Sequence, residues 1–197
     1  MKKPIYKRWW FIVLIVIIVI GIIGGAAGSS DDKPTDSNEN PTQQQEPEEN
    51  PALANATSGE LNALESAESY LSFSSFSYSG LIDQLEFEGY TTDEATFAAD
   101  NCGADWNEQA LKSAQSYLDT MAFSESGLKG QLEYEGFTSE QAAYGVDNCD
   151  ADWNEQAVKS AQSYLDTMSF SRQGLIDQLI YEGFTQEQAE YGVGQVY

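Results

Sequence analysis

The chain has 197 residues, with 32 Asp and Glu against nine Lys and Arg, for a formal charge of −23. A surface of that sign repels a phosphate backbone, which argues against direct binding of DNA or RNA. With no histidine and two cysteines, histidine acid/base chemistry and His- or thiol-rich metal sites are out of reach, so composition points to a protein that is not an enzyme and carries no cofactor.

The amino terminus opens with a basic end, residues 1–8, holding Lys2, Lys3, Lys7 and Arg8. An uncharged run from Trp9 to Ser30 follows. As a helix its 22 residues would measure about 33 Å, enough to cross a hydrocarbon core of about 30 Å. The expectation is a transmembrane signal-anchor over residues 9–28, with Trp9 and Trp10 at the interface. The positive cluster would keep the end before it in the cytoplasm and place the rest of the chain outside the cell. The competing reading is a cleaved signal peptide, since Gly25, Ala26 and Ala27 offer small residues after an apolar stretch. Residues 29–57 hold four of the five prolines, Gln43 to Gln45, and seven acids against one lysine. Such a segment cannot bury a core and reads as a disordered linker, with a reach on the order of 30 Å as a flexible coil.

Beyond the linker the chain repeats itself with a period of 47 residues. Tyr70, Tyr117 and Tyr164 are in register, as are Gly89, Gly136 and Gly183, and DNCGADWNEQA at Asp100 recurs as DNCDADWNEQA at Asp147. The units are 58–104, 105–151 and 152–197. In the second, Trp106, Ala110, Leu111, Ala114, Tyr117, Leu118 and Met121 fall at steps of three and four, the face of an amphipathic first helix. Asp105 reads as its N-cap, with Glu108 completing an acidic version of a capping box. Ser124 opens a second helix that runs to Glu135, and Gly136 followed by Phe137 reads as a Schellman stop folding back on Leu132. Thr138 with Gln141 is a fresh capping box for a short third helix. Gly127 sits in the first turn of the second helix, where close approach to the first helix would justify it. The fold class expected is all-α: three tandem three-helix, helix-turn-helix-like units, with Trp106, Trp153 and the three tyrosines as structural residues. Gly59 replaces the tryptophan in the first copy.

Through SAQSYLDTMAFSESGLKGQLEYEGFTSEQAAYGVDNC and its companions, the chain resembles the Ltp family of host cell surface-exposed lipoproteins. The resemblance spans about Gly59 to Tyr197. It implies an extracytoplasmic, membrane-tethered protein, and prophage-encoded members act in superinfection exclusion by blocking phage DNA entry. Lipoprotein members use a lipobox cysteine; here the only cysteines are Cys102 and Cys149, so the apolar segment is expected to be the anchor. The helix-turn-helix likeness describes shape, because the three units carry nine, nine and seven acids against no, two and two bases, and no basic recognition helix exists.

Candidate chemistry is sparse. Cys102 and Cys149 occupy equivalent positions, which favours two buried thiols over a disulfide, since stacked repeats separate such positions. Asp150, Asp152 and Asn154 imitate the start of an EF-hand loop, but Glu155 and Ala161 stand where its glycine and bidentate Glu belong. Asp152 fits an N-cap better. Glu86, Glu88, Glu133, Glu135 and Glu182, near the ends of the second helices, form a candidate negative stripe for a basic or amphipathic phage tail or DNA-entry segment. The alternatives are a merely solvated face, or a host surface module that binds an envelope polymer or partner protein.

Overall fold

A computed structural model describes residues 52–197. The expected anchor at 9–28, and the linker before residue 52, lie outside the described residues. Leu53–Asn55 forms an exposed single turn of 3-10 helix, and a compact unit spans Ala56–Tyr197. Among the described residues there are nine α-helices and no strand, three helices to each 47-residue repeat. Repeat 1 contains α1 (Ser58–Phe73), α2 (Tyr78–Glu88) and α3 (Thr92–Asn101). Repeat 2 contains α4 (Trp106–Thr120), α5 (Glu125–Tyr134) and α6 (Ser139–Asn148). Repeat 3 contains α7 (Trp153–Thr167), α8 (Arg172–Tyr181) and α9 (Gln186–Val196). No helix among the described residues is long and apolar enough to cross a membrane.

Local chemistry sets the boundaries. Thr91, Thr138 and Thr185 close reciprocal capping boxes at the third helix of each repeat. Asp105 caps α4 by accepting from the amides of Asn107 (2.9 Å) and Glu108 (3.2 Å). Its box is incomplete, because the Glu108 carboxylate accepts instead from the Tyr144 hydroxyl at 3.5 Å. Gly136 takes φ 95°, and the Phe137 amide donates back to the Leu132 carbonyl at 3.2 Å, which is the expected Schellman geometry. Gly89 and Gly183 do the same with φ 102° and 95°. Phe137 and Phe184 are thereby driven into the core.

Each repeat buries its own core. In repeat 2 it is built from Ala110 and Ala114 of α4, Leu128 and Leu132 of α5, then Phe137, Ala142, Val146 and Cys149. Repeat 3 reuses the pattern with Ala157, Ala161, Leu175, Leu179, Phe184, Ala189 and Val193. The first and third helices approach each other closely: a Cβ on Gly145 would lie 2.7 Å from the Ala110 carbonyl oxygen, and one on Gly192 2.6 Å from the Ala157 carbonyl carbon.

Consecutive repeats join through polar, directional contacts. Ser77 donates to the Glu135 carbonyl (2.6 Å) and Ser79 to the Gly136 carbonyl (3.2 Å). Ser124 and Ser126 repeat this with Glu182 (2.5 Å) and Gly183 (3.1 Å). At the first junction Ser75 also donates to Ser113 (3.2 Å), and the Phe76 amide to Gln109 Oε1 (3.4 Å). The buried polar face of α4 is thus satisfied by the repeat before it. The expectation that Gly127 admits the first helix of its own repeat is corrected here. A Cβ on Gly127 would fall 2.8 Å from the capping hydroxyl of Ser124 and 3.3 Å from the Glu182 carbonyl of the next repeat, so the glycine makes room for its own cap and for the junction.

The tryptophans also serve the junctions. Trp106 meets Tyr78 of repeat 1 edge-on, with ring centroids 5.5 Å apart at 88°, and Trp153 packs against the core of repeat 2. Where repeat 1 has Gly59, the Glu94 carboxylate of α3 occupies the space a side chain would need.

Candidate binding surface

The second helix of each repeat ends in a constellation of tyrosine, glutamine and glutamate. The Tyr117 hydroxyl donates to Glu135 Oε1, Gln131 Nε2 donates to the Tyr117 oxygen (3.1 Å), and Ser113 reaches Glu135 Oε2 (3.5 Å). Repeat 3 matches this with Tyr164, Gln178, Glu182 and Ser160, and repeat 1 with Tyr70, Gln84 and Glu88. The tyrosine rings pack edge-on against Phe76, Phe123 and Phe170. Burial raises the Glu135 carboxyl above its ordinary range, against the pull of the hydrogen bonds from Tyr117, Gln131 and Ser113. Burial first, and the negative Glu135 next to it, push the Tyr117 hydroxyl upward as well. Each of the three tyrosines thus packs its ring against a phenylalanine and bonds an acid through its hydroxyl.

That arrangement gives the acids of the expected stripe different surroundings. Glu135 and Glu182 are half-buried against their tyrosines, Glu88 accepts from Tyr70 at the surface, and Glu86 accepts from the Thr92 hydroxyl at 2.5 Å. Of the five, Glu88 and Glu133 are exposed and Glu86, Glu135 and Glu182 are half-buried. The same helix ends present something the sequence reading did not single out: Phe87, Tyr134 and Tyr181, at equivalent positions of the three repeats, are 57 %, 49 % and 87 % exposed. An aromatic at position 87 and at each 47-residue step after it was the available signal. Single exposed apolar side chains are ordinary on a surface, whereas a large aromatic recurring at one register position, outside the core each time, is a repeated feature of the unit.

A groove of about 590 Å³ lies between repeats 2 and 3, lined by Leu118, Met121 and Ala122 on one side and Lys159, Tyr164 and Glu182 on the other. At the first junction Ser75 bonds across to Ser113; its counterpart here is Ala122, which has no hydroxyl to offer Ser160. Gln156 Oε1 is buried without a hydrogen-bonding partner, where its counterpart Gln109 accepts from Phe76.

The other candidates resolve simply. Cys102 and Cys149 are free thiols, Cys149 buried and Cys102 half-buried, and burial raises both thiols above the usual range. Asp152 caps α7, accepting from Asn154 (2.9 Å) and Glu155 (3.1 Å). Asp150 adopts the left-handed φ of 55° that Gly103 (67°) adopts in the preceding repeat, so the EF-hand-like pattern is the turn between two repeats. Among the described residues no group of three potential ligands is placed to hold a metal ion.

The family model for host cell surface-exposed lipoproteins, Ltp, matches residues 60–102, 105–149 and 152–196, one match per structural repeat. Among solved structures, the chain is similar to that of Ltp, a superinfection exclusion protein from the Streptococcus thermophilus temperate phage TP-J34. The identity is 32 % over 48 % of this chain and 98 % of the other, with a TM-score of 0.46. No curated protein matches. Three consecutive matches covering more than half the chain, each coincident with a three-helix unit, show that the chain belongs to the Ltp family of host cell surface-exposed lipoproteins.

Proposed function

We propose that the protein is a non-enzymatic exclusion factor, anchored in the membrane by residues 9–28, whose three repeats engage a component of an incoming phage outside the cell and stop its DNA from entering. Family membership and the resemblance of the repeats to Ltp support the biology. The observation that carries the site is the exposed aromatic at the end of each second helix, Phe87, Tyr134 and Tyr181, set in a surface of strong negative charge. Such a surface suits a partner segment that is both basic and apolar. Charge raises the encounter rate and makes it salt-dependent, and desolvated aromatics supply affinity. A catalytic step and direct contact with nucleic acid have no part in this reading.

A second reading rests on the same aromatics, since exposed tyrosine and phenylalanine rings also stack on sugars: a host module that binds an envelope polymer. Expression of the full chain in a phage-sensitive strain separates the two. The exclusion reading expects unchanged adsorption with genome entry and plating reduced by orders of magnitude for at least one phage. Normal plating and normal genome entry for every phage tested would contradict it and favour the envelope module.

A further inference from the structure

The junction that joins the repeats is used twice in series, and among the described residues both of its halves recur uncovered, one in repeat 3 and the other in repeat 1. On the donor side Ser77 and Ser124 each cap their own helix and donate onward to a carbonyl of the next repeat, and both are buried to 2 % exposure by doing so. Ser171, their counterpart in repeat 3, makes the same cap to the Gly174 amide (3.1 Å) and is exposed. On the acceptor side a Cβ built on Gly136 falls 3.0 Å from Ser77 Oγ, and one on Gly183 falls 2.9 Å from Ser124 Oγ; on Gly89, the counterpart in repeat 1, it meets nothing within 4 Å among the described residues. A contact between a donor face and a different acceptor face leaves one of each unused in a pair, so further copies extend it.

The residues that differ at the free ends still complement each other. Arg172 stands at the register position of Tyr78, which meets Trp106 at the first junction. In repeat 1 that tryptophan is Gly59, and the Glu94 carboxylate fills its place. Continuing the series would set the guanidinium against that carboxylate, an arginine-acid pair replacing the aromatic pair. Gln173 replaces Ser79 and Ser126, and its amide retains a donor for the Gly89 carbonyl.

We propose that the chain associates head to tail with a second copy of itself, the Ser171–Arg172 start of α8 in one copy docking on the Glu88–Gly89 end of α2 and on Glu94 in the next. The interface is heterologous, so short linear assemblies result, each extending the array of exposed aromatics. This holds whatever the aromatics bind.

Cysteine pairing in the full-length chain tests it. Chains carrying Gly89→Cys are mixed with chains carrying Ser171→Cys, oxidised, and analysed by non-reducing electrophoresis and peptide mass spectrometry. Ser124→Cys with Gly183→Cys in one chain serves as the internal control for the same geometry. The expected result is a dimer linked 89 to 171 in the mixture, at least several-fold above either variant alone, and a ladder when both changes sit in one chain. Dimers linked 89 to 89 or 171 to 171 at equal yield, or a closed control without any 89–171 link, would overturn the proposal. Sedimentation of the detergent-solubilised full chain with native residues gives an independent reading. Species larger than one chain should grow with concentration and fall several-fold in Arg172→Glu, whereas a monomer at every concentration contradicts the assignment.

Discussion

Glu135 is a carboxylate that folding draws away from water toward the hydroxyl of Tyr117, with Gln131 and Ser113 at its edges. Because burial raises its folded value above the unfolded one, its contribution is fully present below the ordinary carboxylate range and is lost as pH rises through the raised folded value. Glu135→Gln is therefore expected to gain stability relative to the native chain as pH climbs from about 4 to 7. Thermal unfolding of both proteins across that range checks it, and a difference independent of pH would contradict the burial argument. Tyr117→Phe should be worse than a lost neutral hydrogen bond, costing about 1–3 kcal/mol, since it strips a buried acid of its donor. Denaturant titration measures that directly. In the sequence, Tyr117 was readable as a residue of the packed helix face. Its acid partner was not, because the two lie eighteen positions apart and only the packing of α5 on α4 makes them neighbours. Glu135 therefore looked like a surface charge. An identical spacing of tyrosine, glutamine and glutamate in all three copies was the sign that they act together.

At the level of helices, what could be read was what is decided within a few residues. Capping boxes at Thr91, Thr138 and Thr185, and the glycine stops at 89, 136 and 183, follow from bonds that each segment makes with itself. Long-range needs were harder to read. Gly127 serves the next repeat instead of its own first helix, and nothing local distinguishes those two demands. No local pattern marks Gly145, yet the backbone of α4 leaves no room for a side chain there: its Cβ would sit 2.7 Å from the Ala110 carbonyl. Gly145→Ala is expected to destabilise by about 1–3 kcal/mol through overpacking, despite alanine's better helix propensity. Repeat 1 places Ala98 at that position against its own first helix, so α1 and α3 have adjusted to the extra carbon. Chemical denaturation of the Gly145 variant decides it; a gain in stability would mean that α4 and α6 separate at no cost.

Over the whole array, the 47-residue period makes the number of units and their all-helical character legible in the sequence. How the units meet was not, because serine hydroxyls donating to helix-end carbonyls leave no hydrophobic pattern in the sequence. The same geometry places Phe87, Tyr134 and Tyr181 outside the cores they adjoin. If these three rings hold the partner, their loss should spare folding, since exposed side chains seldom contribute much to stability. The most direct test is genome entry into cells expressing the full chain with Phe87, Tyr134 and Tyr181 all changed to serine, scored beside the native protein at matched expression and helicity. The account expects entry restored to nearly that of cells without the protein, with adsorption the same in all three. Entry still blocked as strongly as by the native chain would contradict it.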